Sequence, residues 1–507
     1  MHLLLLLVSC STHGSAPGSH PDSATDTDAD TDTDSDTDAD TDTDADSDGG
    51  LDTGGYNMGT GTSEDTGQGE ACDGALPELR RLYVSADDSN SQATPVLARA
   101  LINQHISAFP ALSYEFLNYY HFDYSPASTN QLRIEAQVME SEAIPGDLEL
   151  VVAVVAPEVT PETRRPLNLV FAVDTSGSMQ GSGISLARAT VQAIAHQLRA
   201  GDRVSFVTWA TTTNTLIDGL DLMGPDAPEL LAAAARLSAG DSTDLSRGLS
   251  RAYELAENNR REGDISRVVL ISDGGANTGL TDEDLIGRHA ALREADATYL
   301  IGVGVGDAPA YSVSLMNTVT DLGRGAHVFI DSAAEAQHQF NDPERFLENV
   351  LVAATDVQLA LDLPPDWVID RFSGEQISSN PREVVPQNLA PNDQMLYHMT
   401  LRNCGEEEDP SFHFVATAAT PEGEAIQVEL DRSLSELRVA DSAAARKAVA
   451  LVETARTFQG VWQQDPAVRA EFVRDGLDRV TRTAAPLPTD DDLTEVTRLL
   501  RAYADLF

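Results

Sequence analysis

Asp174, Ser176 and Ser178 follow the apolar run 167–173 (LNLVFAV) in the sequence DTSGSM. Ser242 and Thr243 stand in GDST, just ahead of a helical pattern that begins near Asp244. Asp273 stands in ISDGG, two positions past the apolar run 268–271. Two carboxylates and several hydroxyls, completed by water, make a hard all-oxygen environment suited to Mg²⁺, with Mn²⁺ or Ca²⁺ as alternatives. Few direct carboxylates leave such an ion with residual positive charge, so it can accept an acidic side chain from outside. Metal-assisted hydrolysis would need a water-activating base or a second ion near Asp174 and Asp273, and no convincing one is present. Ser176 lacks the G-x-S-x-G elbow and the adjacent His of a nucleophile.

These residues need a scaffold that brings separate loops together. A continuous apolar run ended by a turn and followed by a helix reads as a buried parallel strand. The rhythm continues, with strands expected at 167–173, 203–209, 214–217, 267–271, 298–303 and 326–330. Helices are expected at 184–199, 228–237, 244–258, 282–295, 310–321 and 333–352. In the first helix Ile184, Ala187, Val191, Ile194 and Leu198 share one face, as in a helix covering a sheet. The alternation predicts an α/β fold with a doubly wound, mostly parallel sheet, Rossmann-like in class. Ligands in such sheets bind outside the carboxyl ends of the strands, where the candidate oxygens lie. IGVGVGD (301–307) lacks the G-x-G-x-x-G pattern and reads as a close-packed strand end. His196 and His289 belong to no HExxH motif and read as structural or exposed.

DTSGSM, DSTDLSRGL and ISDGG together resemble the metal-ion-dependent adhesion site of von Willebrand factor type A domains. The resemblance assigns the first motif, D-x-S-x-S, to Asp174, Ser176 and Ser178, its threonine to Thr243 and its second aspartate to Asp273. It implies that the hydroxyls coordinate the ion, that the aspartates bind it directly or through water, and that a partner's Glu or Asp completes the shell. Asp241 departs from the pattern, standing where many members have Gly. RLYVSADDSNS, ISAFPALSYEFLNYYHFDY and GDRVSFVTWA are similar to a bacterial envelope group that carries N- and C-terminal regions around the type A domain, many of them lipoproteins.

The chain has 507 residues and a net charge of −49, too long for one core and too acidic to favour nucleic acid as a partner. Residues 1–72 hold 17 acidic residues and no Lys or Arg. Every even-numbered position from 26 to 48 is Asp, a block that repels itself and buries no apolar area. Leu7, Val8, Ser9 and Cys10 resemble the lipobox of bacterial lipoproteins, which implies lipidation at Cys10. The expected plan is a lipoprotein signal (1–10), a disordered acidic Asp/Thr spacer (11–75), an N-terminal accessory domain (76–165), a type A domain (166–352) and a C-terminal accessory domain (353–507). The last should have a β part, with strands at 357–363, 412–419 and 426–430 and a β continuation at 437–439, then helices at 443–459, 466–480 and 492–507. In the N-terminal region 96–109 reads as a helix, 132–138 and 148–155 as strands, and the Pro/Arg-rich PEVTPETRRP as a linker or edge turn. The aromatic stretch YEFLNYYHFDY (114–124) is expected to pack a core rather than stack on bases, given its acidic surroundings. In an oxidising envelope Cys72 and Cys404 can pair.

The expected function is an envelope-anchored, divalent-metal-dependent protein-binding module for adhesion or assembly, and not an enzyme. Its partner would be an envelope or extracellular protein presenting an acidic side chain, with membrane contact through the lipid anchor alone. The expected location is the bacterial cell envelope, at the outer membrane. The alternatives are a structural envelope protein with a purely stabilising metal and, behind it, a metal-dependent hydrolase.

Overall fold

The computed structural model describes Cys72 and residues 78–87, 90–240, 245–275, 283–290, 297–438 and 442–507. Cys10, the signal at 1–10 and, apart from Cys72, the acidic spacer at 11–75 lie outside these residues. So do Ser242, Thr243, Val439 and the last part of the helix expected at 282–295.

A six-stranded sheet runs in the order Thr213–Asp221, Arg203–Trp209, Leu167–Asp174, Ile265–Ser272, Thr298–Val305, Arg324–Ile330. Its neighbours are parallel except the first pair, which is antiparallel. The central strands are buried along their whole length, which explains their unbroken apolar sequence. Because side chains alternate across a strand, Leu169, Phe171 and Val173 face one core and Val170 and Ala172 another. The first core is closed by Ile184, Val191 and Ile194 of helix Ser182–Gln197 together with Phe340 and Phe346. The helix expected over 333–352 is two helices, Ala333–Phe340 and Pro343–Val350. Pro343 cannot continue a helix, and the Asp342 carboxylate caps the second one by accepting from the amides of Glu344 and Arg345. In IGVGVGD, a Cβ on Gly302 would collide with Thr320, and one on Gly304 with Tyr311, so the glycines let a helix and a loop close on the strand.

Two antiparallel sheets form a sandwich beside this domain. One contains Arg80–Ser85, Ala354–Leu363, Ser411–Ala419 and Ala425–Ser433, and the other Trp367–Phe372, Gln394–Asn403, Leu148–Val155 and Arg133–Glu140. Each sheet takes strands from both sides of the α/β domain, pairing Arg80–Ser85 with Ala354–Leu363 and Leu148–Val155 with Gln394–Asn403. The accessory stretches 76–165 and 353–507 are therefore interleaved in space, with the α/β domain inserted between their strands. Leu150, Val152 and Val154 point into the sandwich against Phe414 and Tyr397. Val151, Ala153 and Val155 point out of it, into the core shared with the C-terminal helices. Trp367–Phe372 and Gln394–Asn403 were not read as strands from the sequence. Leu437, where a β continuation was expected to start, instead ends a helical turn, Leu434–Leu437, which Ser433 and Glu436 close as a reciprocal capping box.

Helices Leu245–Asn259 and Val313–Gly323 cover the second face of the α/β sheet, while Ala443–Gly460, with Arg469–Ala484, Asp491–Ala504 and Ser113–Tyr119 packed on it, lies against the outer face of strands Leu148–Val155 and Arg133–Glu140. The aromatic stretch is part of this packing: Phe116, Tyr119, Tyr120 and Phe122 are buried, and Phe116 lies 6.2 Å from Phe458. Arg99 ties three regions together, meeting Glu335 of the α/β domain at 2.6 Å and Glu495 of the last helix at 3.0 Å. The linker PEVTPETRRP contains Arg164, whose guanidinium is buried against Asp202.

Cys72 and Cys404 form a disulfide across a sequence separation of 332 residues. It fastens the chain ahead of strand Arg80–Ser85 to the end of the opposite sheet. Cys404→Ser is expected to lower the unfolding free energy by about 2–4 kcal/mol, because the unfolded chain regains the entropy of a very long loop. Denaturant unfolding of the variant, and of the native protein with and without reductant, measures this.

Candidate metal centre

The strand order reverses between Leu167–Asp174 and its neighbour Ile265–Ser272: one βα connection leads away from this pair to each side of the sheet. Loops leaving such a pair part in opposite directions and open a crevice at the carboxyl end. Asp174 ends the first strand and Asp273 directly follows the second, so both carboxyls border that crevice.

Asp174 is completely buried and Ser176 nearly so, whereas Ser178 is exposed and Asp273 half-buried. Asp174 Oδ1 accepts from the amide of Ser176 at 2.8 Å, and Oδ2 accepts from Ser272 Oγ at 2.8 Å. Ser176 Oγ lies 3.0 Å from Ser178 Oγ, which donates to Asp273 Oδ1 at 3.2 Å. Ser272 is a member of this set that the sequence reading missed. It accepts from the amide of Gly274 at 3.1 Å while donating to Asp174, and so fixes the carboxylate to the following turn. Its place as the last residue of a buried strand, beside Asp273, was the available signal. Thr243 lies outside the described residues, but Gly240, just ahead of its segment, donates to Thr175 O at 2.9 Å. That bond leads the chain into the GDST segment from beside the first loop.

Two observations bear on whether these residues fit a cation. Mg²⁺ holds oxygens at 2.0–2.1 Å in an octahedron, so neighbouring ligands stand about 2.9 Å apart. The spacings of 3.0 and 3.2 Å from Ser176 through Ser178 to Asp273 are close to such edges. Gly275 also leaves room at the rim: a Cβ there would come within 2.9 Å of both Asp273 Oδ1 and Ser178 Oγ. The donor set fits a small hard cation. Among the described residues no group of three or more His, Cys, Asp and Glu surrounds one point, and this centre instead joins two carboxylates to hydroxyls.

Burial pushes the Asp174 carboxyl up to about 6, the hydrogen bonds from Ser176 and Ser272 oppose that shift, and the Asp273 charge adds to it. A dication beside Asp174 acts in the other direction, favouring the ionised carboxylate. His196 faces Asp226 at the exposed surface, 3.1 Å away, and His289 stacks on Tyr253 with ring centres 4.4 Å apart. Neither approaches the centre through these contacts.

Residues 168–343 match the family model of the von Willebrand factor type A domain. This part of the chain is a von Willebrand factor type A domain. Such domains typically mediate protein–protein interaction or adhesion, and often bind a divalent metal. The chain is 30% identical to the uncharacterized protein YfbK of Escherichia coli (strain K12) over 204 residues, 40% of this chain and 35% of that protein. It is 25% identical to the inter-alpha-trypsin inhibitor heavy chain H3 of Mesocricetus auratus over 280 residues, covering 53% of this chain and 31% of that one. The chain thus spans about a third of the length of each of these relatives. Among solved structures, the von Willebrand factor type A protein from Catenulispora acidiphila aligns with a TM-score of 0.45 at 16% identity, over 73% of this chain and 89% of that chain.

Proposed function

We propose that this protein is an envelope-anchored, divalent-metal-dependent protein-binding module. Asp174, Ser176, Ser178 and Asp273, joined by Thr243, would hold Mg²⁺, with Mn²⁺ or Ca²⁺ as alternatives. The bound ion supplies an electrophilic point that a partner's carboxylate can ligate. The observation that carries the reading is the hydrogen-bonded set that joins Asp174, through the Ser176 amide, to the oxygens of Ser176, Ser178 and Asp273 across the switch point of the sheet. The chain's own residues do the positioning. Ser272 and the Ser176 amide orient Asp174, while Ser178 and Gly275 present Asp273 at the open rim.

Lipidation at Cys10 and the acidic spacer at 11–75 would hold the domain away from a bacterial outer membrane. A neutral chain of about 60 residues averages roughly 45 Å end to end, and self-repulsion lengthens it.

The test is affinity capture from envelope extracts by the full chain in Mg²⁺ and in EDTA, with Asp174→Ala as control. A partner retained only by the native protein in Mg²⁺ is expected. Identical capture in all three arms would overturn the reading. Metal that raises the melting temperature while leaving capture unchanged would assign the ion a purely stabilising role.

A further inference from the structure

The metal-site face does not end at the α/β domain. The loop 306–312, which follows strand Thr298–Val305, has Asp273 on one side and the accessory region on the other. A Cβ on Gly306 would lie 3.5 Å from that of Asp273, and the Ser312 amide points at Asp273 O from 3.5 Å. On the far side, Gln104 Nε2 at the end of accessory helix Ala93–Asn103 donates to Asp307 Oδ1 at 3.0 Å. Beneath the loop Tyr311 OH lies 2.7 Å from His327 Nε2, and the other ring nitrogen of His327 lies 3.0 Å from Ser91 Oγ of the accessory region. The loop beside Asp273 is therefore fixed to accessory residues at both its top and its base.

The helix end itself is fixed and displayed. Asn103, Gln104 and His105 are exposed, yet their backbone is held. The amides of His105 and Ile106 donate to Ile102 O and Leu101 O, each at 2.9 Å. Two residues on, Ser107 O accepts from Trp462 Nε1 at 3.0 Å and from Tyr503 OH at 2.8 Å. His105 has a φ of 60°, a conformation that residues with a side chain adopt less readily than glycine. Glycine would serve the turn at less cost, and an imidazole stands there instead. The path from Asp273 through Gly306 and Asp307 to Gln104 spans no more than roughly 15 Å, within reach of about five residues of extended chain.

We infer that Gln104 and His105 form the second half of the partner-binding face. The partner that fits is an extended protein segment with one acidic side chain for the cation and, up to about five residues away, a hydrogen-bond acceptor for the Gln104 amide and the His105 ring. Gln104 Nε2 carries two protons, of which Asp307 takes one. The inference rests on the metal-site reading proposed above.

A displayed library of random linear peptides with one fixed Asp, selected on the full chain in Mg²⁺, tests it. The selected peptides are then measured on Gln104→Ala combined with His105→Gly, which suits the positive φ, and on Asp174→Ala. Mn²⁺ affinity is measured on each protein as well. The expected result is at least a ten-fold loss of peptide affinity in the Gln104/His105 variant with unchanged Mn²⁺ affinity, and loss of both in Asp174→Ala. Peptides that bind the Gln104/His105 variant as tightly as the native chain, but not Asp174→Ala, would overturn the composite face and leave the metal site standing. Binding that survives Asp174→Ala, or a selection that yields no Mg²⁺-dependent peptide, would overturn both.

Discussion

Asp202→Ala is expected to destabilise the protein by about 3–5 kcal/mol, the usual consequence of removing one member of a buried ion pair. Arg164 and Asp202 have almost no exposed side-chain surface, and they meet twice, at 2.8 Å through Nη1 and 2.5 Å through Nη2. Asp202 also accepts from the amide of Leu167, which opens the central strand, at 3.0 Å and from that of Arg199 at 2.8 Å. One carboxylate thus anchors the linker from the sandwich, the start of the strand that carries Asp174, and the end of the helix after it. Alanine would leave a buried guanidinium and two amides without that acceptor. Equilibrium denaturation measures the loss. Arg164→Met combined with Asp202→Leu should lose less than Asp202→Ala, since no charge is then left buried, although the two amides stay unsatisfied.

Asp174→Asn is expected to reduce Mg²⁺ affinity at least 100-fold, on the order of 3 kcal/mol, while leaving the metal-free protein as stable as the native chain or slightly more so. The two effects differ in sign because the carboxylate is costly without a cation. Its folded pKa is raised from 3.8 to about 6. Between those values the folded state binds more protons than the unfolded one, so metal-free stability falls as pH rises through that window and stays reduced above it. Asparagine keeps the shape, removes the charge and with it that cost. In the native protein the bound ion should raise the melting temperature, and in Asp174→Asn this rise should vanish. Mg²⁺ affinity of the native protein should also weaken below about pH 6, where protons compete for Asp174. Calorimetric titration at pH 5 and pH 7.5, with melting curves in Mg²⁺ and in EDTA, reads all of these. A melting temperature that responds to Mg²⁺ equally in both proteins would place the ion elsewhere.

The two predictions bear on different parts of the chain. Arg164 was read from sequence only as part of a Pro/Arg-rich linker, because nothing local distinguishes an arginine that will be buried from one on the surface. Its partner lies 38 residues on, and only the folded chain brings them together. Asp174 was legible because its signal is local: an apolar strand, an abrupt turn and three oxygens at alternate positions. The placement of Ser176, Ser178 and Asp273 in one run of hydrogen-bonded oxygens follows from the strand order, of which the βα rhythm implied only a doubly wound, mostly parallel sheet. Ser272 escaped because a serine closing a buried strand looks like a strand residue. Its role depends on the neighbouring strand ending at the same level.

The sequence by itself determined the α/β domain, its parallel strands and the placing of Asp174, Ser176, Ser178 and Asp273 at their carboxyl ends, since each depends on patterns within a few tens of residues. Tertiary structure decided the rest. Strands Arg80–Ser85 and Leu148–Val155 find partners about 200 to 300 residues later along the chain. Antiparallel pairing over such separations is selected by which faces must be buried, not by any local signal. The same long-range packing carries accessory helix Ala93–Asn103 to the loop beside Asp273. That places Gln104 and His105 next to a site whose other members lie some 70 to 170 residues further along the chain.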